Sequence, residues 1–219
     1  MPLTSQFRQP LIGLVRLYAS ELARLRGVRR ARWLAWAVAV VSLSSMLTRL
    51  DRSAGLVIIS VEALGWLTWL VGGAITWSAL RNWKTLQEPL ADMARERGVH
   101  AAWRDLAAPL ALIRQLGMSI GVPALLLTVL AIALDSGAKF SWMYAALLVL
   151  VPSYVGLVAL GIGLIVFLSA KLFPQAATSV FLVILLIPHA CRELWPHTPS
   201  VIGLYSWLWD ELVHLGAMA

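Results

Sequence analysis

Apolar residues in this chain come in long unbroken runs, and the polar residues are gathered between them. Runs at residues 33–48, 55–80, 107–134, 141–168 and 175–194 predict five membrane-spanning helices, since a hydrocarbon core of about 30 Å takes about 20 helical residues. The first run is short, and flanking arginines that snorkel to the interface make up its length. A sixth run, 201–215, is short and carries Asp210, Glu211 and His214. It either spans beside neighbouring helices or lies along the interface.

Ahead of these runs, residues 7–28 have a different period. Leu11, Leu14, Val15, Tyr18, Leu22 and Leu25 recur at steps of three and four, while Arg16, Ser20, Glu21, Arg24 and Arg26 fall elsewhere. That is the pattern of a helix lying in the membrane interface, arginines on its wet face; the alternative is a soluble amphipathic helix packed on a partner. Trp33 and Trp36 stand where an aromatic belt would hold the start of the first span. A basic run this far into the chain does not resemble a cleaved leader and is at most a signal anchor.

Composition strengthens the membrane reading. The chain is 60% hydrophobic and 13% charged, with mean hydropathy +0.79, where soluble domains are roughly half apolar and about a quarter charged. The expectation is an all-α integral membrane protein, with no long polar stretch for a soluble catalytic domain. No Gly-x-x-x-x-Gly-Lys-Ser/Thr phosphate loop occurs, so nucleotide chemistry would belong to another chain. Cys191, the single cysteine, excludes an internal disulfide. The net charge of +7 points to a membrane surface rather than nucleic acid, because of where the cations sit.

They sit mostly on one side. Arg8, Arg16, Arg24, Arg26, Arg29, Arg30 and Arg32 precede the first span, Arg81, Lys84, Arg95, Arg97 and Arg104 follow the second, and Lys171 follows the fourth. Opposite them stand only Arg49, Arg52, Lys139 and Arg192. An excess of cations marks the cytoplasmic side, so the N-terminus is expected in the cytoplasm. Six spans would return residue 219 to that side, and five would not.

The segment 81–106 between the second and third spans is the longest polar connection. Thr85 and Glu88 have capping-box spacing, Leu86, Leu90 and Met93 give a modest apolar stripe, and Gly98 is placed to end the helix. These features predict a short helix across the cytoplasmic face, which by itself is also the description of an ordinary solvated loop helix.

Arg81-x-x-x-Thr-Leu-Gln-x-x-Leu90, followed by Pro109-Leu-x-Leu-Ile-Arg114 entering the third span and Pro123-Ala-Leu-Leu-Leu within it, resembles the ABC-2 type transporter permeases. The layout is also similar to the heme-exporter B subunits of cytochrome c maturation. Lys84 stands where that family has glycine, Gln87 where it has glutamate, and Ala94 near a family proline. The resemblance implies that the N-terminal helix is an elbow on the inner leaflet. It also implies that Arg81, Lys84, Thr85, Leu86, Gln87, Leu90 and Met93 form a coupling helix against a separate ABC ATPase. The chain would then be one permease subunit of an exporter in a bacterial inner membrane, paired with a second permease. No cofactor would be held in the chain itself, ATP and Mg being bound by the ATPase, and no nucleic acid is implied. The alternative is an accessory or structural subunit of a larger complex, its loop helix docked to something other than an ATPase.

Few polar residues fall within the apolar runs. Glu62 lies about two turns into the second span, where a carboxylate is costly unless protonated, paired or facing water. It is read either as a translocation-path residue or as an acid bonded to a neighbouring helix. Arg114 is expected at the inner interface. Asp210, Glu211 and His214 share a helical neighbourhood but supply too few ligands for a metal, and His189 and His197 are expected on the outer side with the turn Trp195-Pro-His-Thr-Pro. No polar constellation from several spans suggests a membrane enzyme, and no mid-span lysine suggests retinal binding. Gly117-x-x-x-Gly121 and Gly156-x-x-x-x-Gly161-x-Gly163 are read as sites of close helix approach, and Pro123 and Pro152 as kinks.

Overall fold

A computed structural model describes residues 3–48, 56–96, 100–135, 141–195, 197, 198 and 200–219, and all regular structure among them is helical. Arg49, Arg52, Gly55, Arg97, Gly98, Lys139, Pro196 and Pro199 lie outside the described residues, as do the side chains of residues 3–10.

The elements are α1 (Leu3–Arg24), α2 (Arg26–Leu47), α3 (Leu56–Arg81), α4 (Trp83–Glu96), α5 (Ala101–Leu116 continued by Val122–Asp135), α6 (Trp142–Leu172), α7 (Ala177–Leu194) and α8 (Val201–Met218). Three stretches are long and apolar enough to cross a membrane: Leu56–Arg81, Arg104–Asp135 and Trp142–Leu172. Of the other expected spans, α2 opens with Arg26, Arg29, Arg30 and Arg32, the apolar part of α7 is short, and α8 carries Asp210 and Glu211.

Two of the long helices contain a π turn, Leu67–Gly72 in α3 and Gly117–Gly121 in α5. The second has a local cause. Pro123 has no N–H for the carbonyl four residues back, and its ring crowds that carbonyl, so the widened turn just before it absorbs the conflict. The expected kink at Pro123 is therefore a π turn. Pro152 lies inside the uninterrupted helix α6. The two widened turns rest against each other.

α1 bears out its amphipathic period: Leu14, Tyr18 and Leu22 are buried, and Arg16, Ser20 and Arg24 are exposed. The buried face packs mainly on the first half of α5. That stripe is covered by α5 of the same chain, rather than by lipid or by a partner.

α6 fixes the vertical order. At one end, Lys171 Nζ lies 3.2 Å from Asp105 Oδ2, joining the start of α5 to the finish of α6. At the other end, the Tyr144 hydroxyl is 2.8 Å from Asp135 Oδ2 and 3.2 Å from the Ala219 carbonyl oxygen. Between these ends α8 runs antiparallel along α6. Val201 and Tyr205 meet Gly161, the Tyr205 hydroxyl reaches the Leu157 and Val158 carbonyls at 3.3 Å, and Trp209 stacks tilted on Tyr154 at 6.2 Å. At 1.5 Å per residue, Gly161 is about 26 Å from Tyr144 and about 15 Å from Lys171. The turn before α8, with Ser200 accepting from the Gly203 N–H at 2.8 Å, therefore lies toward the Asp105 end. Arg192 lies there too, against Gly203. This register sets Arg192, with His197 lining the same groove, nearer the Asp105 end than the far end at which they were expected. α7, expected as the fifth span, is about 27 Å long but rises only from Leu172 to this level, so it runs inclined across the base of the bundle.

Glycines make these contacts possible at particular places. A Cβ on Gly161 would strike the Tyr205 hydroxyl, one on Gly163 would come within 2.5 Å of Ile113 Cγ1, and one on Gly121 within 3.3 Å of Val155. Gly117 and Gly156 have open space beside them, so only part of each expected glycine motif is used for close approach.

Two outcomes are expected. A reporter fused after Ala219 and one inserted directly after Glu96 will report opposite faces of the membrane, as read by fluorescence and alkaline phosphatase fusions. Gly163→Leu will lower stability by about 1–3 kcal/mol through overpacking, seen as a reduced melting midpoint in detergent, whereas Gly156→Ala, with open space beside it, will leave the midpoint unchanged or raise it.

Candidate functional site

Two places on the bundle hold the residues singled out by the sequence, a groove and a charged helix; a further groove of about 570 Å³ is lined by Arg192, His197, Thr198, Ser200 and Trp207. The first is a groove between α2 and α3 with a volume of about 410 Å³. α2 and α3 pack side by side, and Gly27 of α2 sits against Ser78 near the far end of α3, which makes the pair antiparallel. One wall is Leu34, Ala37, Val38, Val41, Ser42 and Ser45, and the other Ile59, Glu62, Ala63, Trp66 and Leu70. Because the helices run in opposite directions, Ser42 and Ser45 stand level with Ile59 and Glu62, and Leu34 with Leu70. The groove is thus polar at one end and apolar at the other.

Glu62 is exposed, about 9 Å along α3 from Leu56. It has no ion pair or hydrogen bond among the described residues. Of its two readings from sequence, the acid bonded to a neighbouring helix is not what the described residues form; the carboxyl opens into the groove.

The second place is α4 at the Asp105 end. Trp83, Leu86 and Ala94 are buried on one face, packed on α1 and the start of α5. Lys84, Thr85, Glu88, Asp92, Arg95 and Glu96 are exposed, as is Arg81 at the end of α3. Leu86, expected at a partner's groove, is only 7% exposed and is taken up by its own chain. The side chains of Gln87, Leu90 and Met93 lie outside the described residues. Thr85 is not the helix cap either: α4 begins at Trp83, and the Thr85 hydroxyl donates back to the Asn82 carbonyl at 3.0 Å. Asn82 is the actual break. Its Nδ2 donates to the Ser78 carbonyl at 2.8 Å, closing α3, while its own carbonyl accepts from the Leu86 N–H at 3.0 Å.

Around α4 the helices are tied by polar contacts that the sequence pattern did not single out. Asp105 pairs with Arg104 at 3.1 Å and Lys171 at 3.2 Å, and Lys171 also lies 5.4 Å from the Phe167 ring centroid. Tyr18 of α1 is buried beside Arg104 and Asp105; burial drives its hydroxyl well above the ordinary tyrosine range, Arg104 opposing and Asp105 reinforcing the rise. Arg32 Nη2 donates to Gln115 Oε1 at 2.9 Å, and Gln115 Nε2 donates to Ser119 Oγ at 3.2 Å. Gln115 is buried, so this chain of bonds ties α2 to α5 just before its π turn. Arg114 is exposed, and so are Asp210, Glu211 and His214. No group of three His, Cys, Asp or Glu side chains suited to a metal occurs among the described residues.

Comparison with protein-family models, curated proteins and solved structures finds no match to this chain. The geometry alone defines the class: an all-helical protein with apolar helices of membrane-spanning length, an amphipathic helix at one end and a carboxyl-bearing groove on its flank.

Gln115→Leu leaves Arg32 and Ser119 without their shared partner and is expected to cost about 1–3 kcal/mol. Gln115→Glu keeps the acceptor for Arg32 and replaces its donor to Ser119 with an oxygen to which the Ser119 hydroxyl can turn and donate, so it is expected to retain most of that stability. Thermal melting of the two variants in detergent measures the difference.

Proposed function

We propose that this chain is the permease subunit of an ATP-driven exporter of the ABC-2 type, working with a separate ATPase and a second permease in a bacterial inner membrane. The observation that supports this most is α4. It is a helix between two long apolar helices, held on its own chain by Trp83, Leu86 and Ala94 and presenting Lys84, Thr85, Glu88, Asp92 and Arg95 outward. A helix anchored on one side and charged on the other suits the transfer of rigid-body motion from a soluble partner into a bundle.

In this reading the Asp105 end is cytoplasmic, consistent with the excess of Lys and Arg there, and α1 braces the base as the elbow. α7 and α8 together make one passage, so the chain crosses five times. Asp210, Glu211 and His214 point outward from α8 at the level of the bundle where lipid is the alternative surround. Ionisable residues at such depth usually face protein or water, which favours a second permease or a water-lined path against α8.

The partner surface follows from exposure. It is built on Lys84, Thr85 and Glu88 together with Arg81, and Leu86 contributes by seating the helix. Charge reversal at Lys84→Glu with Glu88→Lys is expected to abolish stimulation of the ATPase by the permease while leaving membrane insertion and melting unchanged. ATP hydrolysis by the co-purified complex in nanodiscs measures this, and stimulation at the wild-type level would remove the coupling role.

A further inference from the structure

We propose that the α2–α3 groove is a binding site for a single-chain amphiphile whose head is a protonated amine, held by Glu62.

The shape sets the class of ligand. From Ile59 to Leu70 the groove follows eleven residues of α3, about 16 Å, which suits an extended alkyl chain lying along the helices. Its contents are ordered along that length: Glu62, Ser42 and Ser45 at one end, then Val38, Trp66, Leu34 and Leu70 toward the other. An occupant must therefore be polar at one tip only.

The charge sets the head group. Glu62 brings a carboxyl into a mostly apolar groove with no cation among the described residues to meet it. A carboxylate at such depth is costly unless something neutralises it. An ammonium does so and forms charge-assisted hydrogen bonds, roughly twice as strong as neutral ones, while the Ser42 and Ser45 hydroxyl oxygens accept from its remaining N–H groups. An anionic head would be repelled, and an amine-bearing phospholipid would set its phosphate beside Glu62. A neutral alcohol of the same length gains the apolar contacts but leaves the carboxyl without a counter-charge. Trp66, exposed on the groove wall, adds a ring face that favours a cation over a neutral head.

The site is a property of the chain alone and holds whether or not an ATPase drives it. The test uses full-length protein in detergent without any partner, with dodecylamine and dodecanol as probes and native mass spectrometry to count what stays bound. One dodecylamine per chain is expected, with dodecanol at least about tenfold weaker. Glu62→Gln is expected to reduce the amine to the level of the alcohol, Glu62→Asp to retain the preference, and Ala37→Trp, which fills the groove from the α2 side, to lose both probes. Equal binding of amine and alcohol, or undiminished amine binding by Glu62→Gln, would overturn the assignment. So would disulfide dimers of Ser42→Cys, made on a Cys191→Ser background, that form in native membranes and are not displaced by dodecylamine, because the groove would then belong to a second copy.

Discussion

Helices already in lipid gain nothing further by leaving water, so a bundle of this kind depends on how closely its members can approach. α6 is where that closeness is concentrated. Gly161 admits Tyr205 of α8, Gly163 admits Ile113 of α5, and Val155 fills the space left by Gly121. With α8 locked antiparallel at that spacing, Ala219 is brought to Tyr144 and the α7–α8 turn to the opposite half. The vertical order of the last two helices thus follows from where Gly161 falls on α6.

The polar end is built differently. α1, α4 and the start of α5 form a base in which buried apolar faces meet each other, and Asp105 ties that base to α6 through Lys171. Each such ion pair is worth little at a wet surface, but the pairs and the Arg32–Gln115–Ser119 relay give direction to contacts that apolar packing leaves non-directional. α4 is held by this base. Anything that pushes on its charged face is pushing on α1 and α5 together, and α5 carries the π turn that lies against the π turn of α3. Widened turns of this kind interrupt the regular ladder and mark where the two long helices depart from simple rods.

Acidic side chains on the flanks are the other departure from a plain apolar bundle. Glu62 opens into a groove, and Asp210 and Glu211 face outward from α8. Burying charge without a partner is costly, and these acids are left exposed on the flanks of the bundle rather than within its core.

Sequence by itself determined the class. Long apolar runs cannot stay in water, so the runs 55–80, 107–134 and 141–168 marked from hydropathy alone the helices found at Leu56–Arg81, Arg104–Asp135 and Trp142–Leu172, and the stripe Leu14, Tyr18, Leu22 and a helix after Arg81 were legible too. Their period follows from the α-helix and needs no tertiary information. What covers a stripe is another matter: the period of α1 pointed to a membrane interface or a partner, and only packing assigned it to α5. The helix start at Trp83 instead of Thr85 was decided by Asn82 closing α3, and the burial of Leu86 by the arrival of α1. Glu62 was visible as an acid among apolar residues, but its groove required Ser42 and Ser45 from another helix. The placement of α7 and α8 was invisible for the same reason: apolar length says that a helix prefers the membrane, while the depth at which it starts is set by the helix it touches.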